Sequence, residues 1–159
     1  MGACDFYDVV EGKTAQEAFQ KAVEEARYES GQGGYTGTIA EKGGYGFKMI
    51  RDSGPVVRER MKNALREAKA DLKKVAKGAK LPDKYWGEED IASTIRSFQA
   101  QIEKFPRTLT PMDIATSLMF LEDKRVRDKW GACGCIDMDP KLTGKRKPKR
   151  FLFFGLASS

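Results

Sequence analysis

The chain has 159 residues, of which 40% are hydrophobic and 33% charged, enough for one globular core without help from disulfides or metals. It contains no histidine, which excludes Ser-His and Cys-His nucleophilic mechanisms, histidine metal ligation and histidine pH switching. Its formal charge of +6 is concentrated late in the chain, after an acidic opening of eight acidic and five basic side chains in residues 1–50.

The start, MGACDFYDVV, has neither the basic n-region nor the long apolar centre of a signal peptide, and no apolar run reaches the roughly 18 residues of a membrane span. The expected location is the cytoplasm. Three cysteines, an odd count, agree with a reducing compartment. Residues 3–10 mix aromatic and β-branched side chains and predict a first strand with Cys4, Phe6 and Val10 on one face. Thr14-Ala15-Gln16-Glu17 is a capping box, and Ala15, Ala18, Phe19, Ala22, Val23 and Ala26 then repeat at helical spacing.

Gly31 and Gly33 stop that helix and open the stretch GQGGYTGTIAEKGGYG, which holds seven of the sixteen glycines. Tyr35, Gly37 and Ile39 alternate with Thr36 and Thr38 as a strand, Gly43-Gly44 suits a two-residue hairpin turn, and Tyr45, Phe47 and Met49 alternate as the returning strand. Two readings stand for this stretch. It is a helix stop followed by a tight hairpin, or a ligand surface built from Gln32, Tyr35, Thr36, Thr38, Glu41 and Lys42, with Trp130 beside it. A phosphate loop of the Walker or dinucleotide type is excluded, because here the glycines follow a helix and precede a strand.

Residues 55–77 predict the longest helix, with Val57, Met61, Ala64, Leu65, Ala68, Leu72 and Val75 on one stripe, Ser53 as cap, Pro55 in the first turn, and Gly78 and Pro82 beyond the end. Nine basic against three acidic side chains fall in residues 57–80, and Arg58, Lys62, Arg66, Lys69 and Lys73 lie in one broad strip. After the connector LPDKYWG, Ile91, Ile95, Phe98, Ile102 and Phe105 mark another amphipathic helix, and Thr110-Pro111-Met112-Asp113 opens the last. Residues 130–138 and 151–157 read as two closing strands. The basic connector between them, KLTGKRKPKR, carries Lys145, Arg146, Lys147, Lys149 and Arg150. It is either a solvated hairpin loop or a phosphate-contacting segment of little sequence selectivity.

The expected fold is therefore α+β, with about five strands in one mostly antiparallel sheet covered by about four helices, in the order β-α-β-β-α-α-α-β-β. One domain spans residues 1–159, and 54–106 reads alternatively as a helical insertion. Cys133 and Cys135 point to one face of a strand as buried apolar groups, and no metal site or cofactor is expected, since the zinc spacing is missing.

GYTGTIAEK at 34–42, KWGACG at 129–134 and FFGLASS at 153–159 resemble stretches of small uncharacterised proteins of phages and their bacterial hosts. That group tends to carry a histidine where this chain has Gln32 and a tryptophan where it has Leu156, so histidine chemistry of the group has no counterpart here. The resemblance implies a phage context, a host partner and chain ends that meet in one sheet. With no carboxylate pair at a general acid and base spacing among Asp5, Asp8, Glu24 and Glu25, the expected function is non-catalytic binding of an anionic host partner, a nucleoprotein complex or host factor, in a counter-defence role. A protein interface would use exposed aromatics such as Tyr45 and Trp86. The alternatives are a sponge for a phosphate-bearing nucleotide, held in a pocket between subunits of an oligomer, and a histidine-free enzyme acting through carboxylates.

Overall fold

The computed structural model describes residues 2–31, 33–143 and 147–159. The chain divides into two compact units, one made of Met1–Arg51 and Pro111–Ser159, the other of Asp52–Thr110. The fold is α+β: among the described residues, four helices accompany one four-stranded mixed sheet.

In the first unit, β1 (Ala3–Gly12) pairs antiparallel with β4 (Lys149–Ser158) along ten residues, from Ala3 opposite Ser158 to Gly12 opposite Lys149. The two ends of the chain thus form the sheet's longest ladder. β3 (Cys133–Asp137) pairs antiparallel with β4 on its other side, and the short β2 (Phe47–Met49) adds to β3 in parallel, giving the order β1-β4-β3-β2. A parallel neighbour needs a long crossover, and here everything between Ile50 and Ala132 supplies it.

Helix α1 (Ala15–Ser30) starts on the capping box: Thr14 Oγ1 accepts from the Glu17 amide at 3.1 Å, and the Glu17 carboxylate accepts in return from the Lys13 amide at 3.3 Å. Its small face, Ala18, Phe19, Ala22 and Val23, buries against the sheet with Phe6, Cys133, Cys135, Phe153 and Ala157. Phe19, Phe47 and Phe153 form a ring cluster with centroids 5.2–5.7 Å apart, which ties α1, β2 and β4 together. Strand and helix approach so closely at Gly12 that a Cβ there would sit 2.8 Å from the Ala18 amide. The opposite face of the sheet is covered by α4 (Pro111–Phe120), with Ile114, Ala115, Leu118 and Met119 buried, and by Val126 over Gly134 and Phe154. With both faces buried, β4 reads as a nearly continuous apolar run, FLFFGLA.

In the second unit, α2 (Gly54–Ala76) and α3 (Glu88–Glu103) pack together. Ser53 caps α2 through Val56, and Pro55 sits in its first turn, as the sequence predicts. Val57, Met61 and Ala68 are its buried residues; Ile91 and Phe98 are those of α3.

Two expectations need correction. The sheet has four strands among the described residues, not five, and is mixed: β1–β4 and β3–β4 are antiparallel as expected, and only β2–β3 is parallel. The missing strand is the 35–39 segment: its chain bends through positive φ at Gly34, Tyr35 and Gly37, and Ile39–Lys42 forms a short 3-10 turn capped by Thr38. An extended strand cannot carry three left-handed residues, so no hairpin forms.

Candidate functional site

Two surfaces carry the chemistry that the sequence singles out. The first is the glycine-rich loop between α1 and β2. Its centre is Glu41, whose Oε1 accepts from the Thr36 amide and the Thr36 hydroxyl, both at 3.0 Å, while Oε2 accepts from the Ser158 hydroxyl at 3.4 Å. The Thr36 and Thr38 hydroxyls lie 2.8 Å apart, and Thr38 also accepts from the Ala40 amide. Burial pushes the Glu41 carboxyl up, but donors from Thr36, Tyr35 and Ser158 outweigh it and hold the pKa below the ordinary 4.5. This carboxylate is fixed and ionised.

Lys42 does not lie on an open polar face. Its side chain is fully buried, and its Nζ donates to the carbonyls of Asp128 at 2.7 Å, Gly131 at 3.0 Å and Lys129 at 3.2 Å. Burial lowers its pKa, against the opposing influence of Cys133, Asp128 and Glu41. Three carbonyls satisfy the three ammonium protons, so Lys42 acts as a clasp between the loop and the segment leading into β3. Cys133 beside it is buried, which pushes its thiol up to about 12 and makes it inert core rather than nucleophile.

The rings of Tyr35 and Trp130 remain outside this network. Tyr35 holds φ 57, a left-handed conformation uncommon for an aromatic residue, and its ring meets Trp130 edge-on at 6.4 Å. Both rings are about half exposed, and the Lys129 ammonium lies 5.2 Å from the Trp130 ring centre. The same loop borders a hollow of about 320 Å³ lined by Arg27, Gly31, Gly34, Ala40, Glu41 and Gly44. Of the predicted ligand set the loop thus assembles Tyr35, Thr36, Thr38, Glu41 and Trp130, withdraws Lys42 into the core, and adds Arg27 and Lys129. Gln32 lies outside the described residues.

The second surface is one side of α2. Arg58, Lys62, Arg66, Lys69 and Lys73 fall within about 80° of one another around the helix. Their environments differ. The Arg58 guanidinium donates to the Pro106 and Arg107 carbonyls and lies over Phe105, while Arg66 donates to Glu59 and Asn63. Those two arginines are spent on structure. Lys62, Lys69 and Lys73 stay exposed and enter no ion pair among the described residues, and the exposed Lys77 continues their line. The sequence already held that signal, since 77 follows 73 at the same spacing of four.

The basic connector is less cationic than its sequence suggests. Lys149 pairs with Asp137 and Arg150 with Asp139, which locks the base of the β3–β4 connection. Lys147 is exposed, and Lys145 and Arg146 lie outside the described residues. Tyr45 is half exposed and Trp86 almost wholly so, at 97%. Among the described residues no helix is long and apolar enough to cross a membrane. The chain matches no protein-family model, no curated protein and no solved structure.

Proposed function

We propose that the protein is a non-catalytic binder of an anionic macromolecule, the nucleic-acid part of a host nucleoprotein complex, and that it docks through the lysine side of α2. The observation that carries this reading is the row Lys62, Lys69, Lys73 and Lys77, four exposed ammonium groups on one side of a helix with no acidic partner among the described residues. The row spans roughly 22 Å at 1.5 Å per residue, long enough to follow several backbone phosphates. Unpaired cations have no ion pair to break before they meet a phosphate, and their contacts gain from counterion release. Paired cations such as Arg150 would first have to leave their carboxylates. The resemblance to small phage proteins supports a host partner and a counter-defence role.

The test is binding of fluorescently labelled double-stranded DNA by anisotropy at low salt. The wild-type chain binds, and Lys62→Gln, Lys69→Gln and Lys73→Gln together abolish most of the affinity without lowering Tm. Equal binding by that triple variant would refute the assignment of the surface.

A further inference from the structure

The hollow beside the glycine-rich loop holds two opposite charges that do not meet. Arg27 and Glu41 both line it, yet they form no ion pair, and the Arg27 guanidinium has no acidic partner among the described residues. An anion placed between them would be drawn by one and repelled by the other, and a cation likewise. Only a ligand with both charges satisfies both walls. We propose that this hollow binds a small zwitterion of the α-amino-acid class, with its carboxylate on Arg27 and its ammonium on Oε2 of Glu41.

Three features support that orientation. Arg27 presents a planar donor fork suited to a carboxylate. Oε1 of Glu41 is filled by two donors from Thr36, whereas the contact of Oε2 with Ser158 is long, at 3.4 Å, and leaves it acceptor capacity. The donors that hold the Glu41 pKa down keep it charged for an ammonium.

The rim is kept clear by glycine. A Cβ on Gly31, Gly34 or Gly44 would meet nothing within 4 Å. Gly31 and Gly34 need glycine for their positive φ, but Gly44 has no such requirement, so its missing side chain leaves space for a ligand and not for the fold. About 320 Å³ is at the small end of ligand sites, which suits a molecule of this size.

The experiment is isothermal titration calorimetry of the full chain with each standard amino acid, its N-acetyl form and its amide. At least one free amino acid binds saturably at millimolar concentration or below, and its N-acetyl and amide forms bind at least roughly tenfold more weakly. Arg27→Met and Gly44→Val each weaken binding by roughly tenfold, with Tm confirming that both variants fold, while Arg96→Met on α3 leaves it unchanged. No heat with any free amino acid, equal binding of an N-acetyl form, or an Arg27→Met variant that binds like the wild type would each overturn the proposal. None of these outcomes depends on the lysine row of α2, so the two sites stand or fall separately.

Discussion

Lys42 is the residue on which the loop between α1 and β2 depends. Its three carbonyl acceptors come from three positions just before β3, so removing the ammonium leaves buried oxygens without donors. Lys42→Met keeps the aliphatic stem and loses the clasp; we expect it to cost about 3 kcal/mol in urea unfolding, with slope unchanged. Glu41 gives a prediction in pH. Its folded pKa is below its unfolded value of 4.5, so its contribution is complete above 4.5 and is lost as pH falls through the folded value. Glu41→Gln should therefore be less stable than the wild type at neutral pH and converge on it in acid, as followed by Tm across that range; parallel curves would contradict the assignment. The sequence placed Lys42 among the donors for a ligand. Nothing in a lysine's neighbours announces a carbonyl cage that is assembled from positions some ninety residues away, so tertiary structure alone could reveal it.

Among the elements, the helices were legible because local signals determine them. The Thr14 and Ser53 caps, Pro55 in the first turn and the apolar stripes all lie where the helices begin and run. The segment 35–39 misled because Tyr35, Gly37 and Ile39 alternate like a strand. The competing signal was present: Thr38-Ile39-Ala40-Glu41 has the spacing of a capped helical start, and the glycines around it permit left-handed backbone. The short β2 earns its place through Phe47 in the ring cluster rather than through propensity. Glycines also separate into two kinds at this scale. A Cβ on Gly134 would lie 2.6 Å from Val126 Cγ1 and 2.7 Å from Phe154 Cζ, so Gly134→Ala should cost about 1–3 kcal/mol through overpacking. Gly44→Ala, with open space and no positive φ, should leave Tm unchanged. Thermal unfolding of the pair separates packing glycines from rim glycines.

For the molecule as a whole, net charge alone overstated the cationic surface. Lys149 and Arg150 are paired with Asp137 and Asp139, Arg58 and Arg66 are tied to their own helical unit, and the row along α2 stands out among the unpaired cations because its four members share one side of a helix. Composition could announce an anionic partner but not which cations were free to meet it, because pairing depends on where the strand ends and helix faces bring carboxylates. The central claim is that Lys62, Lys69, Lys73 and Lys77 contact phosphates. The direct measurement is the affinity for labelled duplex DNA as salt is raised. Four contacts predict a slope of log K against log salt of roughly −3.6, falling in magnitude by roughly 3 in the Lys62→Gln, Lys69→Gln, Lys73→Gln triple variant. A slope near zero, or the same slope in wild type and triple variant, would contradict it.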